Sequence, residues 1–359
     1  MVALTAAAYT IPTDAPEGDG TLAWTSTTLV LVRASAEGAT GLGWTYGPPA
    51  VVQVVTQMLA PVVRDTDPDD VPAAWTAMNR RLRNAGTRGI GALALSAADN
   101  ALWDLKARCH HVPLARLLGS VRPAVPVYGS GGFTTYDAER QHAQLSRWVH
   151  EQGIPRVKIK IGESCGADVP RDLARMTAAR TTIGDAELFV DANGAYQRKQ
   201  AIRVLEAAGD LDVRWYEEPV SSDDLPALGQ VRDAVRADVA AGEYGWDLGY
   251  FERMAPYVDC LQADVTRCGG ITGFQRAAAV AAAHGLEVSG HCAPHQHLAV
   301  AAATPNLRHL EWFHDHVRIE GMLFDGAAGA EGGALTVDRR SPGNGLAFRH
   351  AEAEQWRSA

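Results

Sequence analysis

Apolar and polar residues follow two different patterns along the chain, and the first pattern covers residues 1–120. A β-branched apolar run at 27–32 and a glycine-containing segment at 40–47 predict the two strands of a hairpin. Apolar residues then recur at helical spacing at 51–59, 71–84 and 92–118. These elements predict an α+β domain over residues 1–120.

From about residue 124 onward, short apolar segments alternate with helical patterns such as 136–151, 170–182, 199–208 and 273–284. The predicted strands number eight: 125–128, 157–161, 188–191, 214–217, 239–242, 260–264, 287–291 and 309–312. Strands separated by helices predict a βα barrel over residues 121–318, with an open doubly wound sheet as the alternative. The glycine-rich segment 319–359 lacks a clear period, and we expect it to pack on the first domain.

The composition is that of a globular protein, with 47% hydrophobic and 21% charged residues. A formal net charge of −9 argues against a nucleic-acid partner, while it permits an anionic substrate. The five scattered cysteines favour a reducing cytoplasm over a disulfide framework. Residues 1–13 make a poor signal peptide, and no run reaches the ~20 apolar residues of a membrane span, so we expect a cytoplasmic protein without a membrane partner.

Ionisable residues fall at the carboxyl ends of the predicted strands, where the active site of a barrel lies. The carboxylates of Asp191, Glu217 and Glu243 come from consecutive strands, and they would repel one another if they converged at one rim. A hard divalent cation resolves this repulsion. Mg²⁺ prefers such oxygen ligands, and Mn²⁺ suits the same set.

Two further pairs of residues point to proton transfer. Lys158 and Lys160 have the spacing that places both side chains on one face of a strand. Burial and the like charge next to it lower the pKa of such a lysine, which makes it a base near neutral pH. Across the barrel, Asp264 is placed to orient His291 as a second acid or base.

At this point the residues resemble the enolase superfamily and, within it, the mandelate racemase subgroup, whose sites pair a Lys or His base with Mg²⁺. The resemblance extends over nearly the whole chain. It is carried by A-A-D-N-A-L-W-D-L at 97–105, V-K-I-K at 157–160, D-A-N at 191–193, W-Y-E-E-P at 215–219, G-E at 242–243, and Asp264, His291 and Glu311.

The resemblance implies a modified TIM barrel, (β/α)7β, with an N-terminal α+β capping domain that the C-terminal segment completes. It implies that Lys160 is the base on one face of the substrate and that Lys158 tunes its pKa and contacts the substrate carboxylate. His291 would act on the opposite face, and Glu311 would hydrogen-bond the carboxylate.

Cap loops usually contribute substrate specificity in this family, and the segment 14–24 is the candidate here, with Asp14, Glu17, Asp19 and Trp24 as polar or aromatic residues. Asn193 is either a turn residue or a residue that steadies the site. We therefore expect Asn193, Asp19 and Trp24 at the substrate. No motif assigns a role to His295, His297, His314 or His316.

The leading hypothesis is a Mg²⁺-dependent dehydratase that removes the proton next to the carboxylate of a sugar acid, through an enediolate. A racemase or epimerase and a cycloisomerase share this first step and stay open. A homologue that binds a carboxylate without turnover is an alternative of another class. A metal-dependent hydrolase would need His-rich ligands, which the carboxylate set argues against. Members of the family often form dimers or octamers, so we expect a homo-oligomer.

Overall fold

The computed structural model describes all 359 residues, and the chain begins with a three-stranded antiparallel sheet. Its strands β1 (Ala3–Gly18), β2 (Ala23–Ala36) and β3 (Ala39–Tyr46) lie in that order. The predicted hairpin at 27–32 and 40–47 corresponds to β2 and β3. β1 was not predicted, because its first half consists mostly of short alanine and threonine side chains that give little alternation of polar and apolar residues.

Helices cover one face of this sheet. They are α1 (Val51–Gln53), which continues through a π-helical turn (Val54–Leu59) into α2 (Ala60–Val63), then α3 (Val71–Leu82), α4 (Ile90–Cys109) and α5 (Leu114–Leu117). The single helix predicted over 92–118 is wrong. The chain breaks between α4 and α5, where His111 adopts a positive φ of 55° and Pro113 is extended.

α4 approaches β3 closely because two glycines of β3 face it. A Cβ on Gly41 would lie 2.2 Å from the backbone nitrogen of Leu105, and a Cβ on Gly43 would lie 2.3 Å from the carbonyl oxygen of Ala97. Any side chain at these two positions would push the helix away from the sheet.

Eight parallel strands then close into a barrel, because the last of them pairs with the first. They are β4 (Ala124–Gly131), β5 (Arg156–Lys160), β6 (Glu187–Asp191), β7 (Val213–Glu217), β8 (Asp238–Ala241), β9 (Cys260–Ala263), β10 (Glu287–Gly290) and β11 (Leu307–Phe313). Every predicted barrel strand overlaps one of these. The barrel prediction is confirmed, and the open sheet is excluded.

The helices that follow the strands form the outer layer. They are α6 (Ala138–Ser146) with a π-helical end (Arg147–Glu151), α7 (Glu163–Gly166), α8 (Val169–Ile183), α9 (Arg198–Ala207), α10 (Leu225–Ala234), α11 (Leu248–Met254), α12 (Gly270–Ala283), α13 (Pro294–Ala302) and α14 (His314–Leu323). Their apolar faces and the outward faces of the strands make the largest hydrophobic core. None of the helices is both long and apolar enough to cross a membrane.

The C-terminal segment contacts both domains. Its first residues, 319–323, lie in α14, so the prediction of a segment without period from 319 onward is wrong at that end. β12 (Phe324–Asp325) pairs with β14 (Ala347–Phe348), and β13 (Ala334–Thr336) adds an antiparallel strand next to β4. After α15 (His350–Ala353), the last residues exchange backbone hydrogen bonds with Ala8 of β1.

A row of buried polar side chains on α4 joins the cap to the barrel. Asp99 accepts hydrogen bonds from the backbone and the hydroxyl of Thr272, and Asn100 accepts one from the backbone of Ile271. Ser96 accepts one from the backbone of Gly269. These bonds fix residues 269–272, which form the N-terminus of α12.

Candidate active site

Three carboxylates meet where β6, β7 and β8 end. The register aligns Lys160, Asp191 and Glu217 across β5, β6 and β7. Glu243 follows β8 after Gly242, whose φ of 132° is a conformation that favours glycine. Ligand oxygens of Asp191, Glu217 and Glu243 all lie within 4.8 Å of one another, and all three residues are buried.

This cluster fits a hard divalent cation. All of its donors are carboxylate oxygens, the chemistry that Mg²⁺ prefers. One of them, Oε2 of Glu243, is buried and has no well-aligned hydrogen-bond donor, although Nε2 of His291 lies 3.2 Å from it. Burial and repulsion from Asp191 raise the pKa of Glu217 to about 8, although Nε1 of Trp215 donates to its Oε2 at 2.8 Å. Asp191, Glu217 and Glu243 are therefore the residues that would hold the cation.

Both lysines of β5 point into the same cluster. Nζ of Lys158 contacts Oε1 of Glu217, lies 2.8 Å from Oε1 of Glu311 and lies 3.4 Å from Oδ2 of Asp191. Nζ of Lys160 lies 2.5 Å from the same Asp191 oxygen. The two ammonium groups thus neutralise much of the negative charge of the cluster.

The prediction of a lowered pKa for Lys160 is wrong for this arrangement. Burial lowers its pKa, and so does the ammonium of Lys158, but Asp191 and the other carboxylates outweigh both, so the net pKa is raised. The prediction took into account burial and the repulsion between the two ammonium groups. It left out the carboxylates that lie at the same point and raise the pKa.

On the far side of the barrel, Asp264 and His291 form a hydrogen-bonded pair. Nδ1 of His291 lies 2.8 Å from Oδ2 of Asp264, and Oδ1 of Asp264 accepts the backbone N–H of Thr266 at 2.7 Å. Burial raises the pKa of Asp264, but His291 and Arg267 lower it to about 2, so this carboxylate is ionised. It holds the proton of His291 on Nδ1 and leaves Nε2 facing the cluster, 3.2 Å from Oε2 of Glu243.

Glu311 lies between the two lysines of β5 and the Asp264–His291 pair. Its Oε1 accepts the hydroxyl of Ser130 at 2.6 Å, and its Oε2 accepts the backbone N–H of Cys292 at 2.8 Å. Burial raises the pKa of Glu311, but Lys158 and His291 hold it well below its usual range. It is ionised here, so it would donate a hydrogen bond to a substrate carboxylate only after taking up a proton.

Two protein-family models match most of the chain. Residues 12–119 match the mandelate racemase / muconate lactonizing enzyme N-terminal domain, and residues 140–353 match the enolase C-terminal domain-like model. The chain belongs to the mandelate racemase group of the enolase superfamily.

Individual members of this superfamily are similar to this chain over most of their length. A mandelate racemase/muconate lactonizing enzyme-like protein from Rubrobacter xylanophilus is 48% identical, with a TM-score of 0.96 over 99% of each chain. L-Talarate/galactarate dehydratase from Salmonella typhimurium is 32% identical over 90% of this chain and 80% of that protein. Its structure liganded with Mg and L-lyxarohydroxamate has a TM-score of 0.89, with 27% identity over 99% of this chain and 92% of that one. A 3,6-anhydro-alpha-L-galactonate cycloisomerase from Streptomyces coelicolor is 32% identical over 79% of this chain and 80% of that protein.

The tip of the cap hairpin lies over the rim of the enolase-type barrel. The carbonyl of Asp19 accepts the hydroxyl of Thr134 at 2.6 Å, and the carbonyl of Gly20 accepts the backbone N–H of Cys165 at 2.8 Å. A Cβ on Gly20 would lie 2.6 Å from the carbonyl oxygen of Gly162, just beyond β5. The segment expected to act as a cap loop is therefore the hairpin between β1 and β2.

The three residues expected at the substrate have three different surroundings. Oδ1 of Asp19 is already occupied within its own turn, where it accepts from the backbone and hydroxyl of Thr21. Trp24 packs edge-on against Phe133 and donates to Glu17. Asn193 has a φ of 45°, its backbone donates to Asp191, and its side-chain oxygen has no partner. Of the three, Asn193 is the one in contact with the cluster.

Sequence reasoning missed two residues of the site. Arg267 lies 3.4 Å from Glu243 and 3.5 Å from Asp264, so it couples the cluster to the dyad. Its position three residues after Asp264 was the available signal. The second residue is Cys292, whose Sγ lies 3.3 Å from Nε2 of His291.

The four histidines to which no motif assigns a role each contact another residue of the protein. Nδ1 of His295 lies 2.6 Å from Glu320, and Nε2 of His297 accepts the backbone N–H of Val265 at 2.9 Å. His314 contacts Asp14, and His316 stacks on Tyr46 with ring centroids 3.4 Å apart.

Proposed function

We propose that this protein removes the proton next to a carboxylate and that its reaction is the dehydration of a sugar acid. One observation carries the proposal. Two groups able to move protons, Nζ of Lys160 and Nε2 of His291, contact the same carboxylate cluster from different sides of the barrel. A substrate held at that cluster would present one face to each of them.

Each residue then has a task that follows from its position. When bound, Mg²⁺ would supply positive charge that stabilises the negative charge developing on the substrate carboxylate. The Lys158 ammonium, fixed by Glu217 and Glu311, would bind the carboxylate. Lys160, in its neutral form, would take the proton from the carbon next to it. The imidazolium of His291 would give a proton to the β-hydroxyl, which leaves as water, and the enol product becomes a 2-keto-3-deoxy acid.

The relatives support two reactions of this type. The Salmonella relative is a dehydratase of hydroxylated diacids, and the Streptomyces relative is a cycloisomerase of an anhydro sugar acid. In a cycloisomerase the group that leaves is an internal ring oxygen. We favour dehydration because His291 is held by an ionised Asp264 and is therefore a strong candidate to protonate a leaving hydroxyl.

Proton NMR in D₂O with Mg²⁺ tests this proposal on a panel of sugar acids and α-hydroxy acids. We expect the α-proton signal to disappear while a 2-keto-3-deoxy spectrum appears. Lys160→Ala and His291→Asn should abolish turnover, whereas Lys199→Ala, on the exposed start of α9, should retain it.

Other outcomes would assign other functions. Exchange without net conversion, or a new stereoisomer, would establish a racemase or epimerase. Opening of an anhydro ring would establish a cycloisomerase. Tight binding of an acid without exchange of its α-proton would overturn the proposal and favour a carboxylate-binding homologue.

A further inference from the structure

A second group of metal-ligating side chains lies beside the carboxylate cluster. His291, Cys292 and Glu311 each offer one ligand atom, and these three atoms lie within 4.8 Å of one another. All three residues are buried. The group differs from the carboxylate cluster in kind, because it combines a nitrogen, a sulfur and an oxygen donor.

The backbone places the thiol in this position. Cys292 and Ala293 have positive φ values of 52° and 39°, a conformation that residues other than glycine rarely adopt twice in succession. Pro294 then begins α13. This turn folds the side chain of Cys292 back to its own neighbour, so that Sγ lies 3.3 Å from Nε2 of His291.

Two of the three ligand separations match those of a tetrahedral zinc site. Zn–S bonds of about 2.3 Å and Zn–N and Zn–O bonds of roughly 2.0–2.2 Å separate neighbouring ligand atoms by roughly 3.3–3.7 Å. Sγ of Cys292 lies 3.3 Å from Nε2 of His291, which in turn lies 3.7 Å from Oε2 of Glu311. The ligand atoms of Cys292 and Glu311 lie within 4.8 Å of each other.

Two of the three donor residues, His291 and Glu311, are oriented by other bonds. Nδ1 of His291 is held by Asp264, which leaves Nε2 as the ring nitrogen that could bind a metal, in exchange for its present contact with Glu243. Oε1 of Glu311 is held by Ser130 and Lys158, while Oε2 faces His291 and Cys292. A carboxylate behind a histidine ligand is a common arrangement in zinc sites.

We propose that Nε2 of His291, Sγ of Cys292 and Oε2 of Glu311 form a binding site for a thiophilic divalent cation, Zn²⁺ above all. The site uses other ligand atoms than the carboxylate cluster but adjoins it, because Nε2 of His291 also lies 3.2 Å from Oε2 of Glu243. Soft thiolate and imidazole donors select Zn²⁺ over Mg²⁺, whereas the all-oxygen cluster suits Mg²⁺. Binding converts the thiol to a thiolate and releases its proton to solvent.

Occupation of this site would block the enzyme. Nε2 of His291 is the atom that the proposed function requires as an acid, and a bound cation would hold its lone pair. This consequence rests on the proposed function, while the binding site itself does not. Excess Mg²⁺ should not relieve the block, because the two ions bind different atoms.

Titration with Co²⁺ in the presence of saturating Mg²⁺ tests the site without any substrate. Co²⁺ bound to a thiolate absorbs in the near ultraviolet through charge transfer from sulfur, and Co²⁺ bound only to carboxylates does not. We expect one equivalent of Co²⁺ to produce this band in the full chain and Zn²⁺ to displace it.

Cys292→Ser should abolish the band and weaken Zn²⁺ binding about tenfold or more, because the sulfur ligand is lost. Cys165→Ser is the matched control, since Cys165 is exposed and also has a positive φ, of 56°. It should retain the band. Circular dichroism and thermal melting verify that both variants fold, and Cys292→Ala provides a second variant.

Absence of the band in the wild type, or its persistence in Cys292→Ser and Cys292→Ala, would overturn the proposal. A substrate-based assay separates the two proposals. If Zn²⁺ inhibits α-proton exchange in the wild type and about tenfold less in Cys292→Ser, both hold. If the band appears and no acid exchanges its proton, the metal site stands and the proposed function fails.

Discussion

Nζ of Lys160 lies 2.5 Å from Oδ2 of Asp191, which places the proposed base in contact with a proposed metal ligand. The contact raises the pKa of the lysine, although burial alone would lower it. The affinity of the cluster for a cation and the proton affinity of Lys160 are therefore linked, because both depend on the same carboxylate oxygen.

The first prediction concerns metal binding. Because Asp191, Glu217 and Glu243 are buried close together, Mg²⁺ should stabilise the folded chain, by about 2.7 kcal/mol at a concentration of 100 times its Kd. Asp191→Asn should remove most of this effect, and the exposed control Asp210→Asn should keep it. Thermal melts and calorimetric titration measure both. An unchanged Mg²⁺ affinity in Asp191→Asn would exclude the cluster as the site.

A second prediction concerns the dyad. Asp264→Asn keeps the shape of the side chain but removes the charge that holds the proton of His291 on Nδ1. By analogy with other carboxylate–histidine pairs, turnover should fall by about 10²–10⁴-fold while substrate affinity changes little. Steady-state kinetics on the substrate found by NMR measure kcat and KM separately. Asp223→Asn, on an exposed turn, serves as the control, and a loss confined to KM would contradict the role given to Asp264.

A third prediction concerns stability at low pH. Burial lowers the pKa of His316 to about 3, and its Nδ1 accepts the backbone N–H of Ala293 at 3.3 Å. The folded state therefore favours neutral His316. Its contribution to stability is fully present above the ordinary pKa of 6.5 and is lost as the pH falls toward 3. At pH 5 this loss is about 2 kcal/mol.

Denaturant unfolding at pH 7 and pH 5 measures this effect. His316→Asn keeps an acceptor near Ala293 and does not titrate, so the difference in unfolding free energy between the two pH values should shrink. The control is His111→Asn, because His111 is exposed. An equal pH dependence in wild type and His316→Asn would contradict the assignment.

A fourth prediction concerns the packing of the cap. Gly43→Ala would place a Cβ 2.3 Å from the carbonyl oxygen of Ala97, and backbone cannot move aside as a side chain can. The substitution should destabilise the protein by about 1–3 kcal/mol or more. Thermal unfolding measures the change. Gly321→Ala is the control, since a Cβ there meets no atom within 4 Å and lies in α14, where alanine favours the helix.

The barrel could be predicted from the sequence because each strand is a short apolar run followed by a helical pattern, and both signals are local. The positions of Asp191, Glu217 and Glu243 followed from the same rule, since parallel strands present their carboxyl ends at one rim. The structure brings these residues together with both lysines, Asp264, His291 and Glu311.

Features that depend on tertiary contacts could not be predicted. β1 is a strand because it pairs with β2 and with the chain terminus, and its own residues give a weak pattern. The pKa of Lys160 depends on an acid from the next strand. Oδ1 of Asp19 accepts hydrogen bonds from the backbones of Thr21 and Leu22, and the residue types alone do not give this path of the turn. Each of these outcomes is set by a partner distant in sequence or by the exact path of a turn.

The polar row on α4 has a consequence for how such proteins diversify. Ser96, Asp99 and Asn100 of the cap hold residues 269–272, which begin α12 a few residues after Asp264. The cap is therefore part of the scaffold that positions one half of the proton-transfer machinery. Exchange of caps between relatives would preserve the site only if α4 and residues 269–272 were exchanged together. The hairpin tip over β5 can vary independently of them. The unit that has to be kept together is α4 and residues 269–272, which belong to different domains.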